Sequence, residues 1–113
     1  MENITLQNMG DKYFDDGQDA EYNSQYVTAI ECFAIARTFY EAGEDTEGLE
    51  LANESIRDLL EYIHQPDTFD YWVKYGVERV DDFIQISNER KRLFGLECEH
   101  EDPIFAEMRR KVG

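Results

Sequence analysis

The sequence predicts an all-α chain, a four- to five-helix antiparallel bundle or a set of stacked helical hairpins, and three observations lead there. Apolar residues recur at the helical period in every segment long enough to judge, and no strand-like alternation competes with it. Gly17, Gly43 and Gly95 each follow such a stretch, as expected of C-terminal caps with positive φ, and Asp19, Asp45 and Asp67 stand at the next starts. The breaks between the first four helices are only two or three residues long, which forces neighbours to run antiparallel. The expected helices span about 3–16, 19–42, 45–64, 67–94 and 102–112.

Helix one, at about 3–16, ends just before Gly17. Helix two carries Tyr22, Tyr26, Ala29, Ile30, Phe33, Ala36 and Tyr40 on one stripe, and Val27, Cys32, Ile35 and Phe39 on a second. A helix apolar on that much of its circumference has neighbours on more than one side, so it is placed centrally. Helix three has the core stripe Leu49, Ala52, Ile56, Leu59, Leu60 and Ile63. Helix four repeats the pattern with Phe69, Trp72, Val73, Val77, Val80, Phe83 and Ile84, and its Gly76 marks either a close helix crossing or a weak point. The fifth helix opens on Asp102 as cap with Pro103 at the first helical position, and it closes on Arg109, Arg110 and Lys111, which suit the negative end of the helix dipole.

All of this fits one domain, 1–113. The 113 residues suffice for one core and not two, and 7 Phe, 7 Tyr and 1 Trp are more aromatic residues than a disordered acidic tail carries. The longest uninterrupted apolar run, Cys32 to Ala36, is far too short for a membrane span. The opening Met1-Glu2-Asn3-Ile4-Thr5 has no signal-peptide pattern, so a cytoplasmic protein is expected.

Charge is the dominant chemical feature. Against 26 Asp and Glu stand 11 Lys and Arg, a formal charge of -15, which disfavours direct binding to nucleic acid or to an anionic membrane. The imbalance is uneven: residues 1–67 hold 16 acidic and 3 basic side chains, and residues 68–113 hold 10 and 8. Helix three concentrates it. Glu47, Glu50, Glu54, Asp58 and Glu61 follow one another at helical spacing, within an arc of roughly 80° and a rise of about 21 Å. Like charges so placed oppose the helix by about 0.2–0.5 kcal/mol per neighbouring pair. Arg57 is the only basic residue in this helix, and it lies off the stripe. Such a surface is either a solvated face or one that meets a basic partner. The basic clusters Arg90-Lys91-Arg92 and Arg109-Arg110-Lys111 are read as helix ends.

Catalytic signatures are missing from this reading. With so many carboxylates no pair stands out as acid and base, neither His64 nor His100 has a sequence context that suggests a nucleophile and base arrangement, and no glycine loop suits a phosphate. Cys98-Glu99-His100-Glu101-Asp102 gathers ligand types, but only Cys98 and His100 are donors that zinc prefers, and a structural site needs four. Cys32 and Cys98 are expected as free thiols. No metal or other cofactor is therefore expected, and the chain is not read as an enzyme.

Met9-Gly10-Asp11-Lys12-Tyr13-Phe14-Asp15-Asp16-Gly17-Gln18-Asp19 echoes Ile35-Ala36-Arg37-Thr38-Phe39-Tyr40-Glu41-Ala42-Gly43-Glu44-Asp45, 26 residues later. Continued through Gly48, Leu49, Ala52, Ser55 and Ile56, the second copy resembles a tetratricopeptide helical hairpin over about residues 30–63. It departs from that pattern in its spacing and in Leu60, where the family places Pro. The stretch Glu89-Arg90-Lys91-Arg92-Leu93-Phe94-Gly95 is similar to a basic helix end in small helical immunity proteins of the colicin D type. That likeness implies an acidic inhibitor of a nuclease toxin. The tetratricopeptide likeness implies an adaptor that receives a peptide.

Two functional expectations follow. In the first, the chain inhibits a basic nuclease or other nucleic-acid-binding protein as an immunity-type or nucleic-acid-mimic protein. Its partner-binding residues would be Glu47, Glu50, Glu54, Asp58 and Glu61, with Asp15, Asp16, Glu44 and Asp45 as a rim at the helix junctions. In the second it is a tetratricopeptide-like adaptor, and Tyr22, Tyr26, Tyr40, Tyr71 and Trp72 are the exposed contacts. The sequence leaves a homodimer open.

Overall fold

The computed structural model describes the backbone of residues 2–93 and the side chains of residues 6–83. The helix expected at 102–112, with Gly95, Cys98, His100 and Asp102, lies outside the described residues. Within them the chain is all-helical: α1 (Glu2–Tyr22), α2 (Tyr26–Ala42), α3 (Thr46–Tyr62) and α4 (Phe69–Leu93), with a single 3₁₀ turn at Pro66–Thr68 leading into α4. No strand occurs among the described residues.

Successive helices are joined by three connections of one design. Ser24, Glu44 and His64 sit in the left-handed region at φ 61°, 60° and 62°. Each is followed by a residue whose N–H reaches five residues back: Gln25 to the Ala20 carbonyl at 2.8 Å, Asp45 to Tyr40 at 2.9 Å, and Gln65 to Leu60 at 2.8 Å. The left-handed residue itself donates to the carbonyl three back, Glu21, Glu41 and Glu61 in turn. These are Schellman caps repeated every twenty residues, built without glycine at the left-handed position. The sequence expectation of a left-handed Gly43 is therefore corrected. Gly43 has φ -82°, and the strained position falls on Glu44.

The largest correction concerns the first break. Gly17 and Asp19 do not end one helix and begin another; both lie inside α1, which runs on to Tyr22. Gly17 is a packing residue, since a Cβ added there would stand 2.6 Å from the Phe33 ring. The 26-residue echo is consequently not a structural repeat: its first copy is uninterrupted helix, and its second crosses the α2–α3 turn. Asp45 does start a helix as expected, its carboxylate accepting the Gly48 N–H at 3.0 Å.

As expected, α2 is central and packs on α1, α3 and α4, but two residues assigned to its apolar stripes do not belong to its core face: Tyr22 ends α1 and is exposed, and Val27 is exposed in the first turn of α2. Phe14, Phe33, Ile30, Ile56, Leu59 and Leu60 fill one end of the core. Leu6, Ile35, Phe39 and Val80 fill the other, with Tyr13 stacked on Phe39 at 5.8 Å and near Phe83 at 6.3 Å. A third cluster holds Tyr40, whose ring rests between Gly10 of α1 and Gly48 of α3 and whose hydroxyl donates to the Asp11 carboxylate at 2.5 Å. Gly76 marks a close crossing: a Cβ there would lie 2.3 Å from the Ala34 carbonyl oxygen, so α4 can lie this close to α2 only because the side chain is missing.

Candidate functional site

The face of α3 that points away from the core carries the acidic stripe. Gly48, Ala52, Ile56, Leu59 and Leu60 are buried on one side of this helix. On the other side Glu47, Glu50, Glu54, Asp58 and Glu61 are all exposed. Among the described residues none of the five enters an ion pair; pairs elsewhere include Lys12 with Asp16 at 3.2 Å, Arg37 with Glu41 at 3.4 Å and Arg79 with Asp82 at 3.3 Å. Arg57, the one cation of α3, is drawn aside, its guanidinium 4.4 Å from the centre of the Phe69 ring. Glu47 lies in the first turn, where the helix dipole favours it. Asp58 and Glu61 lie near the last turn, which holds no basic residue and where a negative charge is opposed.

The rim residues divide. Glu44 and Asp45 stand at the α2–α3 turn as expected, Glu44 exposed and Asp45 half-buried as the α3 cap. Asp15 and Asp16 are exposed but are not at a helix junction, a correction that follows from the continuation of α1 to Tyr22. Asp15 joins Asp11 and Asp45 in the field around Tyr40. Burial, then the hydrogen bond to Asp11, then these charges push the Tyr40 hydroxyl well above the ordinary tyrosine range. Asp16 points elsewhere: it is paired with Lys12, and its charge helps burial to raise the Cys32 thiol. The adaptor contacts divide too. Tyr22 is 89% exposed and Tyr71 63%, while Tyr40 is 4% exposed and is a core residue. Trp72 is half-buried, its ring edge-on to those of Tyr71 and Tyr75.

No family model, curated protein or solved structure matches this chain.

Three features escaped the sequence reading. Arg37 lies inside a stretch read as core and is itself buried, its Nε donating to Asn53 at 2.9 Å, with Nη1 buried and without a partner among the described residues. Asp11 escaped because only the fold brings it to Tyr40, 29 residues away. The third is a cleft of about 340 Å³ where the end of α1, the start of α2 and the end of α3 meet, lined by Glu21, Tyr26, Asp58, Leu59 and Tyr62. A twenty-residue register, setting Glu21, Glu41 and Glu61 in line, was the available signal for the turns beside it.

Proposed function

We propose that the protein is an acidic helical binding protein of the immunity or nucleic-acid-mimic kind, inhibiting a basic nuclease or other nucleic-acid-binding protein by covering its substrate groove. The observation that carries this reading is the α3 face: five exposed carboxylates, unpaired among the described residues, on a helix whose only cation is held by Phe69. Stability does not explain that face. Its neighbouring pairs repel, and two of its members stand near the adverse end of the helix dipole. A basic groove would turn each of these costs into attraction. Long-range attraction would also speed encounter, and occupation of phosphate sites would block substrate without any chemistry by this chain.

The test is Glu54→Gln with Asp58→Asn. Three of the four neighbouring repulsions in the stripe disappear, a relief of about 1 kcal/mol, so the melting temperature should hold or rise slightly. Basic proteins captured by the immobilised wild-type chain at low salt should be displaced by added RNA or duplex DNA and be recovered several-fold less by the double variant. Capture that resists both nucleic acid and the substitutions would end this reading. The exposed Tyr22 and Tyr71 support a second, the tetratricopeptide-like adaptor. It expects capture to survive the double variant and to fail with Tyr22→Ala or Tyr71→Ala.

A further inference from the structure

The cleft at the α1, α2 and α3 ends has a composition suited to one kind of side chain. Tyr26 and Tyr62 form one wall, their ring centres 4.9 Å apart at an interplanar angle of 59°. The buried Leu59 supplies an apolar surface, and the exposed Glu21 and Asp58 bring carboxylates from two different helices. Aromatic faces, an apolar surface and two anions are what a guanidinium on an alkyl stem requires: the stem packs, the planar head stacks, and the N–H donors meet the carboxylates. None of the protein's own described cations supplies it. Lys12 is with Asp16, Arg37 with Asn53 and Glu41, Arg57 with Phe69 and Arg79 with Asp82, while Lys74 lines a separate cleft with Tyr71, Tyr75 and Glu78.

We infer that this cleft receives an arginine side chain of the basic protein partner. The inference rests on the proposed function and adds the anchor to it. Asp58 belongs to both the stripe and the cleft, so an arginine seated there would fix the register in which the remaining carboxylates meet the partner's positive groove. A stripe alone attracts many cationic surfaces; one arginine packed against the tyrosine wall, with its donors on two carboxylates, selects among them.

The experiment is an amide-resolved NMR titration of the full chain at low salt with N-acetyl-arginine amide. The citrulline, norleucine and lysine amides serve as comparison probes, and hexalysine tests the stripe. Arginine amide should shift Glu21, Tyr26, Asp58 and Tyr62, the lysine amide should bind at least about fivefold more weakly, and the two neutral amides should shift nothing there. Tyr62→Ala and the pair Glu21→Gln with Asp58→Asn should each weaken arginine binding by about fivefold or more. Their circular dichroism should not change, since all three side chains are exposed. Equal binding of the lysine or norleucine amide, or arginine shifts confined to other residues, would overturn the inference. Hexalysine separates its failure from that of the proposed function. Shifts along Glu47–Glu61 without an arginine response in the cleft leave the stripe standing and remove the anchor; an arginine response without them does the reverse.

Discussion

Replacing Ser24 by glycine distinguishes two accounts of the chain by the sign of one number. If residues 19–42 formed one helix, Ser24 would be a helix-interior residue, and glycine there would cost about 0.5–1 kcal/mol. In the structure Ser24 instead holds φ 61° between α1 and α2, with its side chain exposed. An L-residue in that region is strained by roughly 1–2 kcal/mol, a strain that glycine does not carry. Against this stands glycine's larger loss of freedom on folding, about 0.5–1 kcal/mol, so the expected gain is of order 0.5–1 kcal/mol. For a domain of this size that raises the melting temperature by roughly 2–6 °C. The assay is thermal unfolding followed by circular dichroism, with Ser55→Gly inside α3 as the control that should lower the transition by a similar amount. The equivalent His64→Gly should rise like Ser24→Gly, because His64 is exposed at φ 62° in a turn of the same design. A fall with Ser24→Gly as large as that of Ser55→Gly would refute the left-handed cap and with it the boundary between α1 and α2.

Two further outcomes are expected. Gly76→Ala should destabilise by about 2 kcal/mol in urea titration although alanine is the better helix former, because the added methyl collides with the Ala34 carbonyl and not with a movable side chain; a stabilised variant would mean that α4 does not cross there. Tyr40→Phe should lose about 1–2 kcal/mol at neutral pH, the worth of a hydrogen bond to a charged acceptor that is partly exposed. The folded Tyr40 hydroxyl titrates above its ordinary value of 10.0, so its contribution is intact below that pH and is lost as the pH climbs toward the raised folded value. The gap between wild type and Tyr40→Phe should therefore shrink above pH 10, and a gap that stays constant up to strongly alkaline pH would contradict the assigned bond.

The helix class, the central place of α2 and both faces of α3 were legible because each depends on periodicity alone. Glu47 through Glu61 and Leu49 through Ile63 separate by angle on any helix, and Asp45 caps through a contact three residues away. The reading failed where one residue type serves two ends. Glycine marks turns and also permits close approach, and nothing local to Gly17 tells that its neighbour is Phe33, sixteen positions on. The break at Asn23-Ser24-Gln25 was missed for the complementary reason: its left-handed residue is not glycine, so the chain passes through a turn without the usual mark. The cleft was out of reach because its residues come from three helix ends, and nothing local to Tyr62 marks it as a contact although it is 64% exposed.

The central position of α2 has a consequence for how the molecule opens. The outer helices are fastened to α2 far more than to one another: α1 and α3 meet beside the cleft lined by Glu21 and Asp58, α3 and α4 approach at Arg57 and Phe69, and α1 and α4 through Tyr13 and Phe83. Each outer helix can therefore detach as a separate cooperative unit while the other two remain seated, and amide exchange should fall into tiers, slowest in α2. Release of α3 would carry the whole acidic face away from the core in one step, so the free energy of its seam with α2, together with its smaller contacts to α1 and α4, limits how hard a partner can pull on it before the protein opens.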